Sequence, residues 1–140
     1  MNIPDIVNQL KPLVDAGLCV LIWLVQVIIY PSFEFCDVKQ FKYWHSRYTQ
    51  RISWFVVPLM FCQLGVHGWL IVHNLNALSL FAASLIATAW IATFVLSVPC
   101  HHRLQRSGYD VATIRRLVKT NWLRTVAWTT VFVLDLYTRI

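Results

Sequence analysis

The chain has 140 residues, 58% of them hydrophobic and only 13% charged, with a formal net charge of +6. That composition excludes an ordinary soluble domain, whose surface needs charge throughout, and leaves one compact unit over residues 1–140 whose outer face meets lipid. The excess of bases does not indicate nucleic acid, because Lys and Arg gather at the ends of apolar runs, where they meet anionic lipid head groups.

Met1-Asn2-Ile3-Pro4-Asp5 lacks the basic start of a cleaved leader, so the first apolar run is expected to be retained. The segment before Leu13, punctuated by Pro4 and Pro12, reads as a polar interfacial lead-in, with Pro12 at a helix start. The first predicted span covers about 13–31, and Ala16 to Phe33 are 18 residues without a charge, against the roughly 20 that a span needs. Asp15, Cys19, Gln26 and Tyr30 fall at i, i+4, i+11 and i+15. That face is expected to turn away from lipid, because an amide such as Gln26 is costly in hydrocarbon without a partner. Tyr30-Pro31 is expected to end the span, since the residue before proline is pushed out of helical geometry.

Residues 32–51 mix aromatics with Lys39, Lys42, Arg47 and Arg51, which suits a connector lying at head-group level before bending into the second span. If Trp44 to Arg51 is helical, His45, Thr49 and Ile52 share one face, and Trp44, Tyr48 and Arg51 share the next. From Ile52 to His102, 51 residues pass without Asp, Glu, Lys or Arg. This is the length of two spans, about 52–73 and 77–98, turning at His73-Asn74-Leu75-Asn76. Pro58 is a candidate kink, Gln63 and His67 stack at i and i+4, and Ala83, Ser84, Ala87 and Thr88 form a small-residue stripe expected to permit close helix contact.

Cys100 to Lys119 forms a second basic connector, with a turn at Gly108 and with Asp110 as N-cap of a helix from Val111. That helix continues into a fourth predicted span, about 121–138, whose uncharged interior is only Thr125 to Leu134. Arg124 must therefore snorkel or point inward. Asn121, Arg124, Thr125, Trp128 and Asp135 fall on one face, expected to look into the bundle. The expected fold is all-α: a polytopic four-helix transmembrane bundle with two amphipathic connectors.

Ten of the twelve Lys and Arg lie in or just after the two connectors, leaving Lys11 and Arg139 for the other side. The positive-inside rule then makes the connectors cytoplasmic and both termini external, in a multi-pass protein of the bacterial inner (plasma) membrane.

Cys19, Cys36, Cys62 and Cys100 show no C-x-x-C spacing and read as reduced packing residues. His67 and His73 read as lone interfacial histidines, and Trp23, Trp90 and Trp128 as core. His45 and His101, at the cytoplasmic ends of different helices, allow convergence on a haem iron or another metal. At the same depth lie Gln26, Tyr30, Thr49, Arg51, Asn121 and Arg124, and several costly polar groups at one level point either to a pocket or to a network locking the helices. A pocket would place His45 and Arg51 on one wall and His101, Asn121 and Arg124 on the other.

Three functions stay open. The first is a pocket that binds, and has the groups to oxidise, a lipophilic or anionic small molecule, with His45, His101 and Arg124 as acid/base or ligand groups. Gln26, Tyr30, Trp44, Tyr48, Thr49, Arg51, Asn121 and Trp128 would contact the ligand. The second is a non-enzymatic accessory or packing subunit of a larger membrane complex or homo-oligomer. The third is a haem- or metal-binding four-helix membrane protein, the cofactor being left open.

The strings W-H-x-x-Y-T-x-R-I-x-W, P-x-M, V-P-x-H and L-V-x-x-N-W-x-R-T-x-A-W, spread over Trp44 to Trp128, resemble those of uncharacterised bacterial four-span integral membrane proteins. More remotely, N-x-x-R at Asn121 and Arg124 resembles the membrane-protein family that includes anthrone oxygenases. That resemblance implies a small four-span protein oxidising a polyketide anthrone without a cofactor.

Compartment reporters fused near Gly108 and after the C-terminus should report the cytoplasm and the outside, respectively. A cytoplasmic C-terminus would refute the orientation.

Overall fold

A computed structural model describes residues 2–139. Four long helical rods account for nearly all of them: α1 (Ile3–Phe35), α2 (Phe41–His73), α3 (Ala77–Ser107) and α4 (Val111–Tyr137), with no strand among the described residues. Three of them, α1, α2 and α3, are long and apolar enough to cross a membrane. At 33, 33 and 31 residues they reach about 45–50 Å, well beyond a hydrocarbon core of roughly 30 Å. α4 packs against α1 and α3, α1 also against α2, and α2 against α3, which closes the rods into a ring.

The rods are longer than the predicted spans because residues expected in connectors are helical. α1 starts at Ile3 under an Asn2 N-cap: Asn2 Oδ1 accepts from the Asp5 amide, and the Asp5 carboxylate accepts from the Asn2 amide. Pro4 therefore occupies the first helical turn, where its missing N–H costs nothing, while Pro12 lies inside the helix rather than at its start. Tyr30-Pro31 does not end α1 either. A π-turn over Val25–Ile29 comes just before Pro31, and the helix then runs through Tyr30–Ser32 to a short 3-10 turn, Phe33–Phe35. α3 repeats the device, with a π-turn over Thr93–Ser97 just before Pro99 and helix onward to Ser107. A proline clashes with the carbonyl four residues back, and the wider π-turn accommodates it, so each helix survives its proline. α2 is continuous α-helix through Pro58.

The connectors shrink accordingly. Residues 36–40 join α1 to α2, and the aromatics beside them knot together instead of lying flat. Phe33, fully buried, meets Phe41, Trp44, His45 and Tyr48 at ring-centroid distances of 6.1, 5.5, 5.5 and 5.3 Å. Residues 74–76 join α2 to α3, where Asn76 caps the third rod. Gly108, with φ +82° that a side chain would strain, ends α3 and lets Asp110 cap α4. The Asp110 carboxylate accepts from the Thr113 hydroxyl at 2.5 Å and from the Ala112 amide at 3.2 Å. The Thr113 bond holds this carboxyl below its ordinary range, so the cap persists above that range and is lost as pH falls through the lowered value.

Inside the ring sit Leu18, Ile22, Val25, Met60, Ala89, Leu117, Ala127 and Trp128. The small-residue contact of α3 is made by Ala82, Ala89 and Ala92 with Ile86, all buried, whereas Ser84 and Ala87 are exposed. The predicted stripe Ala83-Ser84-Ala87-Thr88 thus lies off the contact face: small residues occur all round this stretch, and composition alone cannot choose among faces. Ala89→Leu should overpack the interior and lower unfolding free energy by about 1–3 kcal/mol. Ala87→Leu should change it by less than about 0.5 kcal/mol; denaturation in mixed micelles reads both.

Candidate functional site

The two π-turns act at one depth. Each widens its rod and re-aims the side chains beyond it, so Tyr30 on α1 and His101 on α3 meet across the ring, the Tyr30 hydroxyl lying 3.0 Å from His101 Nε2. On the other side Arg124 reaches in from α4. It is only 5% exposed and donates from Nη2 to the Tyr30 hydroxyl at 3.1 Å and to Asn121 Oδ1, and from Nη1 to Thr93 Oγ1 at 3.5 Å. Asn121 donates in turn to Gln26 Oε1 at 2.8 Å, which also accepts from Thr125 Oγ1 at 3.3 Å, while Gln26 Nε2 donates to the Val118 carbonyl at 3.2 Å. Gln26 and Asn121 thus hold Arg124 from behind.

A second string leads the other way. His101 Nδ1 lies 2.9 Å from Nε2 of His45, which is 0% exposed and packed by Phe33, Phe41 and Tyr48. Arg124 is a pure donor, so the Tyr30 oxygen accepts from it and its own proton is free for His101 Nε2. This fixes the remaining protons: His101 Nδ1–H donates to His45 Nε2, and His45 Nδ1 carries a proton that has no partner.

In front of these groups lies a cavity of about 660 Å³ between α2 and α3, backed by α1 and α4. One end is polar, with Tyr30, Thr49, His101, Gln105 and Arg124; the other is apolar, with Ile22, Val56, Met60, Phe61, Trp90 and Trp128. It opens sideways, where Val57, Phe61 and Phe94 are exposed at its rim. Two of its lining residues, Arg124 and Trp90, each carry a sealed donor without an acceptor, Nε and Nε1 respectively. Among the described residues, no Asp or Glu lines it.

Of the residues singled out from the sequence, Tyr30, Tyr48, Thr49, His101, Arg124 and Trp128 line this cavity. His45, Gln26 and Asn121 are buried behind it and hold its lining, so the expected walls of His45 and Asn121 are second supports rather than walls. Arg51 lies outside and is exposed, because two residues of helix, about 200°, turn it away from the Thr49 face that lines the cavity. Trp44 is 40% exposed and stacks on Tyr48 at 5.6 Å, also outside. Arg124 points inward, where it meets Tyr30 but neither Gln26 nor Thr49 directly. Trp23 is exposed rather than core and donates to Thr129 Oγ1 at 3.0 Å.

The haem expectation for His45 and His101 does not fit. Two axial imidazoles need their nitrogens about 4 Å apart, twice a metal–imidazole bond, and here 2.9 Å is filled by a hydrogen bond. No group of three or more His, Cys, Asp or Glu able to hold a metal occurs among the described residues.

Sequence reasoning missed Trp90, Thr93, Ser97 and Gln105 as lining residues, although they recur with His101 near the helical period on the α3 face. It also misplaced His67, which is buried and bonded to Asp15 rather than interfacial. The signal was present in Gln63 and His67 at i, i+4, read separately from Asp15.

No family model, curated protein or solved structure matches the chain. What the fold defines is a helical protein with three helices able to cross a membrane, in keeping with a multi-pass membrane protein. Its particular features are a buried guanidinium and a histidine pair at the polar end of a side-opening cavity.

Gln26→Met keeps the shape but removes three hydrogen bonds. At roughly 0.6 kcal/mol per bond within membranes, it should cost about 2 kcal/mol of stability, measured by unfolding in mixed micelles.

Proposed function

We propose that the protein is a small four-span integral membrane protein that binds a lipophilic molecule with an anionic or strongly accepting head, taken from the bilayer through the opening between α2 and α3. The observation that carries this reading is Arg124: a buried guanidinium at the head of an apolar cavity, held by neutral acceptors and with no carboxylate of the described residues on the cavity walls. Buried charge is costly unless paired, and a ligand oxyanion would supply the missing partner. Met60, Phe61 and Trp90 would take the apolar body.

α4 as a fourth span is supported by the distribution of its residues. Its polar side chains, Asn121, Arg124, Thr125 and Asp135, are buried, while Trp122, Leu123, Val126, Val133 and Leu136 are exposed. The outward face is therefore apolar over about 20 Å although the helix as a whole is not. Nine bases at one end, Lys39, Lys42, Arg47, Arg51, Arg103, Arg106, Arg115, Arg116 and Lys119, are all exposed, which supports a cytoplasmic location for that end.

The Tyr30–His101–His45 string favours a second reading, in which the bound molecule is also activated. A ligand O–H or C–H beside Arg124 would pass its proton to the Tyr30 oxygen as the Tyr30 proton moves to His101 Nε2, leaving an enolate-like anion on the guanidinium. Such an anion is the species that the likeness of Asn121 and Arg124 to anthrone oxygenases would require before oxidation.

A fluorescent long-chain carboxylate should bind the purified protein. Arg124→Gln should weaken it by at least about tenfold, the loss of a charge-assisted hydrogen bond, with His101→Ala weaker than wild type and helicity unchanged in both. Equal binding by wild type and Arg124→Gln would defeat the reading, and loss of the fold in every variant would favour a packing subunit.

A further inference from the structure

At the opposite end of the rods lies a second cavity, of about 390 Å³, lined by Lys11 from α1, His67 from α2, Ser79 and Ala82 from α3, and Asp135 and Arg139 from α4. Behind His67 is Asp15, only 1% exposed. His67 Nε2 lies 3.2 and 3.0 Å from the two carboxylate oxygens of Asp15, and Oδ1 also accepts from Gln63 Nε2 at 2.7 Å. An ionised carboxylate only accepts, so His67 donates from Nε2 and, when neutral, leaves Nδ1 bare. That nitrogen has no protein partner, yet it is not among the sealed, unpaired atoms as His45 Nδ1 is, so it reaches the cavity that His67 lines.

Among the described residues, no fixed cation answers Asp15. Lys11, one turn away on α1, is held by Asp135 at 2.5 Å, and Arg139 takes the other Asp135 oxygen at 3.1 Å. From α3, the stretch Ala77–Ala92 offers no titratable side chain, and on α1 Cys19 is turned to Thr129 of α4 at 3.9 Å. With His67 neutral, the carboxylate sits with two neutral donors in an apolar interior, where an uncompensated charge is costly and a proton would offset it.

We propose that Asp15 and His67 form a proton-binding site loaded from this second cavity. A proton from solvent adds to His67 Nδ1, giving an imidazolium against the carboxylate. The Nε2–H then passes to an Asp15 oxygen, leaving a neutral carboxyl and a neutral imidazole protonated on Nδ1. One proton enters, none leaves, and the buried negative charge is discharged. The site stands independently of the ligand proposed for the larger cavity.

Infrared difference spectra of the full chain in lipid nanodiscs, taken between alkaline and mildly acidic buffer, test this. Acidification should raise the band of a buried protonated carboxyl, absent in Asp15→Asn and kept in Asp135→Asn. After an acid jump, His67→Gln, which can still donate to Asp15 but cannot relay, should develop the band at least about tenfold more slowly. No band under any condition in which the protein is folded, a band unaffected by Asp15→Asn, or one formed equally fast in His67→Gln would overturn the proposal. Should either variant fail to fold, the imidazole nitrogen resonances of the wild-type protein decide. Uptake requires one buried histidine to change from the Nε2–H to the Nδ1–H form on acidification, and histidines that all keep their tautomers would overturn it equally.

Discussion

Burying Arg124 is the constraint on which the rest of the interior depends. A guanidinium carries five donors and cannot shed its charge, so a chain that places one between apolar helices must surround it with acceptors or leave a place for one. The protein does both. Tyr30, Asn121 and Thr93 accept from the two terminal nitrogens, Gln26 fixes Asn121, and the cavity that Arg124 borders has no carboxylate of the described residues on its walls. Each acceptor comes from a different part of the ring: α1 gives Tyr30 and Gln26, α3 gives Thr93, and α4 gives Asn121. The polar cluster therefore also fixes which faces of these helices can meet, a task that apolar packing within a lipid-like environment performs poorly.

Backbone geometry serves the same end. Pro31 and Pro99 each come after a π-turn, and residues in or just beyond the two turns line the cavity: Val25 and Tyr30 on one rod, Thr93, Ser97 and His101 on the other. A regular α-helix through both segments would repeat the 100° step and carry these side chains to other faces. The prolines thus impose a local change of register that sets Tyr30 against His101. α2 has no π-turn and contributes hydroxyl and amide groups from Ser46 to Ser53 toward one end of the wall and the apolar Val56, Val57, Met60 and Phe61 toward the other. Further along, Gln63 links the interior to the second cavity: its Oε1 accepts from Trp128 Nε1 at 3.0 Å while its Nε2 holds Asp15.

Much of this was legible in the sequence, in the places where periodicity and cost coincide. The face Asp15–Cys19–Gln26–Tyr30 is buried, as is the face Asn121–Arg124–Thr125–Trp128–Asp135, because polar groups in an apolar helix have only one inexpensive direction to point. The Asp110 cap and the turn at residues 74–76 were legible for the same local reasons. Proline was misread. Pro12 and Pro31 each marked a boundary in sequence terms, yet both lie within a helical rod: the Asn8 carbonyl that Pro12 leaves unanswered accepts from Arg139 Nη2, and a π-turn accommodates Pro31 as another does Pro99. With the boundaries misplaced, Phe41 to Arg51 were read as part of a connector instead of the first turns of α2, and Arg51 was assigned to a site that its helix face does not reach. The pairing of Asp15 with His67 was illegible for a different reason: it depends on how α1 and α2 pack, which no local pattern encodes.

The place of Arg124 is tested most directly by a double-mutant cycle between Tyr30→Phe and Arg124→Gln, read by reversible unfolding in mixed micelles. If the buried guanidinium is held by the Tyr30 hydroxyl, the two changes should couple by about 1 kcal/mol or more, as a charge-assisted bond in a shielded interior does. Strict additivity, within about 0.3 kcal/mol, would contradict it and place Arg124 elsewhere than at the head of the cavity.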